Sequence, residues 1–402
     1  MINGSSIVTE SISGKRKAVL HAREPFMSRL HRYDRDQIIH TICNMEQEHT
    51  LFGSSGRSAV HELVSPIKAI DERYILSLRF KGITPVIKNG VIPEHRGNGF
   101  VENPIMVDEN GYVRQIHVVK GDPEGGMFQE DAKTEFDVAI ARESDTTDIA
   151  IAYGEYPDLH YEYEGRTRTL GFAVIGQETA RDIRFGIDFI APHVIPDANK
   201  IYNSQFLFHK DLFRFSNLFG QAMHRFHSQG ANASEEGFVS RYPHFDNIGI
   251  HFRYSMDDLD SYPDARAVIR DLDTALRLKD LTPKQRYGYI FLDLAQISMR
   301  YVREAKADRI IDLKYNLGHL LPSFFQGYFG DRLQGVSLGI SNDFWYPTLD
   351  RELSDFEKAA LMLKDCYLNE NVYQPQTLLA QSNNPFLKFM HSYLLEASGQ
   401  AA

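Results

Sequence analysis

The apolar residues of this chain keep two different periods, and the change falls near residue 205. Before it, apolar positions alternate. YILSLRFKG (Tyr74 to Gly82), VRQIHVVKG, GRTRTLGFAVIGQ and DIRFGIDFIAP each read as a strand, whose successive side chains point to opposite faces of a sheet. Two helices interrupt this half. DRDQIIHTICNMEQ has Asp34 as its expected cap and a stripe of Ile38, Ile39, Ile42 and Cys43; MFQEDAKTEFDVAIARE puts Phe128, Ala132, Phe136, Ala139 and Ile140 on one face. Residues 83–112 hold Pro85, Pro93 and Pro104 and read as loops or short hairpins. After residue 205 the period becomes helical. SNLFGQAMHRFHSQG carries Leu218, Met223 and Phe226 near one stripe, with Gly230 as a stop. Thr282-Pro283 with Gln285 supplies an N-cap, a proline at N1 and a capping-box partner for a helix through Val302. Further helices are expected at 308–328 and 354–368. The expected class is α+β and bilobal, with a strand-rich N-lobe, a helical C-lobe, an extra N-terminal segment and C-terminal helices. The expected boundaries are 1–50, 51–195 and 196–402.

Composition narrows the functions. A chain of 402 residues can bury a large core. Its net charge of −10 speaks against a nucleic-acid partner, which needs a basic face. No apolar run approaches the length of a membrane span, so no membrane partner is expected. The first residues lack the hydrophobic region of a secretory signal, and Met1 is not followed by Gly, as myristoylation would need. Cys43 and Cys366 lie far apart and form no C-x-x-C pair, which fits a reducing cytoplasm. Of the histidines, His224 and His227 in AMHRFH have helical spacing, and no H-E-x-x-H occurs. They read as residues capping or lining a helix face.

The chemistry concentrates in GFVSRYPHFDNIGI (Gly237 to Ile250) and the following AVIRDLDTA. One apolar strand is read as ending in Asp246-Asn247 and a second as ending in Asp271. An amide and carboxylates at such strand tips are hard oxygen ligands of the kind that hold Mg²⁺ against ATP phosphates. The kinase signature H-R-D-x-x-x-x-N is not met, because Tyr242 stands where the catalytic Asp belongs. Each residue has an ordinary reading beside this one. Asp-Asn is a common turn pair, Lys81 on an alternating strand can snorkel at a surface, Glu135 can be a solvated helix residue, and Gly53 and Gly56 can form a plain hairpin.

FGSSGRSAVHEL, LRFKGITP, KTEFDVAIA and GFVSRYPHFDNIGI, in this order, resemble four segments of selenoprotein O, a kinase-fold family that transfers AMP to protein hydroxyls. The resemblance implies a protein-kinase-like fold. It places the nucleotide-contacting lysine at Lys81, its ion-pair partner at Glu135 and a phosphate-cradling loop at Gly53, Gly56 and Arg57. It makes Asp246 the catalytic base and Asn247 and Asp271 the metal ligands, with Asp273 as a second candidate ligand or a solvated residue. GFAVIGQETARDIRFGIDF is similar to a fifth segment, whose two arginines hold the distal phosphate of an ATP bound in flipped orientation. The second falls on Arg184. The first falls on Gln177, a departure for which Arg181 is a nearby substitute. The spacing from Lys81 to Glu135 is longer than in the family, so Lys120, which also ends an apolar strand, is a rival for the lysine. The C-terminal selenocysteine or cysteine motif has no counterpart here.

The implied activity is an ATP- and Mg²⁺- (or Mn²⁺-) dependent transferase, specifically protein AMP transfer to Ser, Thr or Tyr. Three alternatives stay open: γ-phosphoryl transfer to a protein or small-molecule hydroxyl, a kinase-fold ligase that adenylates a carboxylate, and a catalytically silent nucleotide-binding pseudokinase. Retention of Asp246, Asn247 and Asp271 speaks against the last.

Overall fold

The computed structural model describes residues 6–44, 58–69, 73–85, 105–115, 123, 125–143, 146–163, 166–180, 183–190, 209–228, 236–241, 243–251, 265–302, 317–341, 352–369 and 372–400. In chain order its elements are β1 (Ile7–Ser13), β2 (Lys17–Arg23), α1 (Phe26–Arg29), α2 (Arg32–Asn44), β3 (Ser58–Lys68), β4 (Tyr74–Lys81), β5 (Ile105–Val107) and β6 (Val113–Gln115). Then follow β7 (Met127–Phe128), α3 (Gln129–Arg142), β8 (Ile149–Tyr163), β9 (Arg166–Gln177), α4 (His209–His227), β10 (Phe238–Val239), β11 (Ile248–His251), β12 (Arg266–Ile269) and β13 (Leu276–Arg277). The chain continues with α5 (Pro283–Val302), α6 (Leu321–Phe329), α7 (Asp355–Asn369), β14 (Val372–Tyr373), α8 (Pro375–Gln381) and α9 (Pro385–Ala397). The class is α+β, as expected. The chain forms two compact units: Met1–Val101 with Val119–Ile183 and Arg270–Thr274, and Glu102–Val118 with Arg184–Ile269 and Ala275–Ala402.

The first unit is built on a seven-stranded antiparallel sheet in the order β1-β2-β8-β9-β4-β3, with β7 also paired to β9. β8 and β9 form a long hairpin whose register shifts twice. Leu170 to Gln177 of β9 are buried without interruption, which marks a central strand covered on both faces. The core joins Leu20, Ile42, Leu78, Phe80, Phe172 and Val174. Helix α3 packs on β8 and β9 through buried Ala132, Phe136 and Ala139, three members of its expected stripe. Asp34 departs from expectation. Helix α2 starts at Arg32, so Asp34 lies inside the first turn. Its buried carboxylate accepts instead from His61 Nε2 at 2.9 Å and the Val64 N–H at 3.1 Å. A buried carboxylate needs donors, and the neighbouring strand supplies them.

The second unit is mainly helical. Helix α4 packs on α6, and α5 on α7. Gly220 and Gly327 let the first pair approach backbone to backbone, because a Cβ on either would strike the other helix. The expected capping box opens α5: the Thr282 N–H donates to Gln285 Oε1 at 3.0 Å, and the Gln285 N–H to Thr282 Oγ1 at 3.3 Å. The helix expected at 308–328 is α6, shorter, with 303–316 outside the described residues. The helix expected at 354–368 is α7. DIRFGIDFIAP, expected as a strand, forms a wide helical turn at Phe185–Ile190. The reason is local: the Asp188 carboxylate accepts from the Arg184 N–H at 2.7 Å, a bond a strand does not allow. Among the described residues no helix is long and apolar enough to cross a membrane.

Candidate functional site

In the first unit, Ser77, Arg79 and Lys81 alternate along β4 and so share one face. All three are buried. Lys81 Nζ donates to Glu135 Oε2 at 2.6 Å and to Asp273 Oδ2 at 3.1 Å, and it also bonds Asp271 Oδ1. Arg79 donates to the other oxygen of Glu135 at 3.3 Å. The Lys81 and Glu135 side chains are 3% and 1% exposed, whereas that of Asp271 is 31% exposed. The pair is thus sealed while one carboxylate faces outward. Among the described residues two cations meet three carboxylates here, an excess of one negative charge. Like charges this close repel strongly where water is scarce, so the cluster is suited to take up a further cation. Oxygens of Glu135, Asp271 and Asp273 lie within 4.8 Å of one another, and carboxylate oxygens are the ligands that Mg²⁺ and Mn²⁺ prefer.

Backbone strain marks the same place. Asp271 has φ 61°, in the left-handed region that a side chain disfavours. The residue before it is anchored: buried Arg270 donates from Nε to Asp148 Oδ2 at 2.8 Å and from Nη1 to the Ile183 carbonyl at 3.1 Å. The turn Leu272–Thr274 packs against α3, the helix that carries Glu135. A strained residue held by buried ion-paired neighbours is a common signature of a functional position.

In the second unit, Asp246 and Asn247 lie in a single turn, Phe245–Asn247, that leads into β11. They therefore precede a strand rather than end one, because the Asn247 N–H turns back to the His244 carbonyl at 3.0 Å after Pro243. Arg184 makes an antiparallel bridge to Gly249, two residues beyond Asn247. Gly186 abuts Asp246, and a Cβ there would collide with Asp246 Oδ1. Arg184, Asp246 and Asn247 are thus brought together within this unit. Upstream, the Asp293 carboxylate accepts from the Ser240 N–H at 2.7 Å and the Arg241 N–H at 2.9 Å. Arg241 has φ 69°, a second strained non-glycine residue.

Gly53, Gly56, Arg57, Lys120, Arg181 and Tyr242 lie outside the described residues. Gln177 is wholly buried, and its Oε1 accepts from the Ser77 hydroxyl at 3.2 Å. It is paired within the sheet and uncharged. Four residues escaped the sequence reading: Arg79, Asp148, Arg270 and Asp293. Asp293 had a visible signal, as the one charge in the run Tyr287–Met299. A lone charge in a buried helix marks a partner to be sought.

No protein-family profile matches the chain, and no curated protein matches it. The solved structure "WaaP in complex with acyl carrier protein" aligns at TM-score 0.30 and 17% identity, over 57% of this chain and 79% of that one. Similarity at that level assigns neither a family nor an activity.

Proposed function

We propose that this chain is a kinase-like transferase that uses ATP with Mg²⁺ or Mn²⁺ to modify a hydroxyl, with AMP transfer to Ser, Thr or Tyr of a protein as the specific reaction. The observation that carries this reading is the sealed Lys81–Glu135 ion pair, strand to helix, joined to the strained and partly exposed Asp271. Such a lysine is oriented before any nucleotide arrives, so its bond to a phosphate oxygen costs little ordering. In the proposed roles Lys81 binds phosphate, Glu135 holds the lysine, and Asp271, with Asp273, holds the cation; Asn247 is assigned as a metal ligand on the selenoprotein O resemblance. Once bound, that cation neutralises phosphate charge. Asp246 accepts the proton of the incoming hydroxyl as its oxygen forms a bond to the α-phosphorus and pyrophosphate leaves. Arg184 takes the distal phosphate, as the selenoprotein O resemblance implies. Gly53, Gly56 and Arg57 are assigned to the phosphate loop on the same resemblance.

Gln177 favours a second reading. The position matched to a phosphate-holding arginine is uncharged and hydrogen-bonded inside the sheet. Attack at the γ-phosphorus, with ADP leaving, needs no flipped nucleotide. Calorimetric titration tests what both readings share. ATP should bind in the presence of Mg²⁺, and Lys81→Ala and Asp271→Ala should each weaken it at least tenfold. Unchanged affinity in both variants would overturn the site.

A further inference from the structure

We propose that the C-terminal helix α9 belongs to the catalytic apparatus, supporting the loop that carries Asp246 and Asn247 through a buried chain of side chains: Tyr393, Tyr328, His227 and Asp293. The inference rests on the site reading above and adds positioning residues to it.

The chain is built within the second unit. The Asp293 carboxylate, on α5, meets three donors: the Ser240 and Arg241 N–H groups and His227 Nε2, the last at 3.0 Å. An ionised carboxylate only accepts, so Nε2 carries a proton that it donates to Asp293. The Tyr328 hydroxyl, on α6, is hydrogen-bonded to Nδ1 at 2.7 Å. Burial holds the Tyr328 hydroxyl well above the usual phenol range, so it keeps its proton. Tyr328 also packs edge-on against Tyr393 of α9, with ring centroids 5.8 Å apart and planes at 65°. The Tyr393 hydroxyl meets His224 Nδ1 at 3.0 Å, and the Arg332 guanidinium covers its ring at 5.3 Å.

The His227, Asp293 and Tyr328 side chains are at least nine-tenths buried, so water is a poor substitute for any lost bond. What the chain restrains is specific. Arg241 sits in a backbone conformation that L residues disfavour, and two adjacent N–H groups on one carboxylate hold it there. Asp246 follows five residues later. If His227 loses its tyrosine, the ring gains a second orientation, Asp293 loses its aligned donor, and the loop relaxes from its strained turn.

Hydrogen exchange read by mass spectrometry, with transfer kinetics from ATP on the same samples, tests this. In Tyr328→Phe the amides of Ser240 and Arg241 should exchange about tenfold faster, as expected for loss of one buried hydrogen bond. Amides of α7 should be unchanged. The kcat, counted per folded molecule, should fall while KM for ATP stays the same. Tyr393→Leu, which removes the ring packed on Tyr328, should shift both readouts the same way by about threefold. Unchanged exchange at Ser240 and Arg241 in folded Tyr328→Phe or Tyr393→Leu would overturn the proposal. If the wild type transfers nothing from ATP, the proposed function fails, and the exchange data still decide whether α9 holds the loop.

Discussion

Lys81 shows how a single residue sets the balance of a buried site. Among the described residues it is one of two cations facing three carboxylates, so its removal leaves a worse imbalance, whereas neutralising Glu135 leaves two against two. Lys81→Met is therefore expected to cost about 3–5 kcal/mol and Glu135→Gln only about 1–3 kcal/mol. Denaturant unfolding of the two variants checks this; equal losses, or the reverse order, would contradict the charge count. Gly186 makes a second test at this scale. A methyl group there would displace the Asp246 carboxylate. Gly186→Ala is expected to keep ATP affinity and lower kcat about a hundredfold or more, the range for loss of a general base. Unaltered kcat would remove Asp246 from the base role. Neither contact is visible in the chain order. Lys81 and Glu135 stand 54 positions apart, and the resemblance rather than any spacing paired them.

At the scale of elements, regular segments with local signals were legible. YILSLRFK alternates and forms β4, and Thr282-Pro283 with Gln285 opens α5 where expected. The segment after β9 was misread for a physical reason. Ile183, Phe185, Ile187 and Phe189 alternate like a strand, yet one short-range bond from Asp188 to the Arg184 N–H curls the chain into a helical turn. Periodicity counts apolar positions and is blind to such a capture. Helix α4 carries its own expectation. Burial chiefly, then the charges of His227, Arg332 and Arg225, depress the pKa of His224 below 6.5. Above pH 6.5 both folded and unfolded chains hold this ring neutral. As the pH falls through that value the unfolded chain takes up the proton first, so stability is lost downward from about pH 6.5 until the lower folded value is passed. The melting temperature should fall from pH 7 to pH 5.5, and less steeply in His224→Gln. Identical slopes would refute the assignment.

At the scale of the whole molecule, the α+β class followed from the change of apolar period, because period reports which face is buried. The supporting charges did not follow. Arg270 finds Asp148 across 122 positions and Ser240 finds Asp293 across 53, and only the folded chain defines such pairs. The sequence singled out Asp246, Asn247 and Asp271 without revealing what holds their loops. Those loops contain the two non-glycine residues of positive φ, Arg241 and Asp271, found among the described residues. The central claim is transfer from ATP to a hydroxyl. Its most direct test is the intact mass of the protein and of generic acceptor proteins after incubation with ATP and Mg²⁺ or Mn²⁺, beside an Asp246→Ala control. An AMP-sized adduct that is absent from the control is the expected result, and a phosphate-sized adduct would move the reaction to the γ-phosphorus. No adduct on either protein, together with no stabilisation by ATP, would contradict the account.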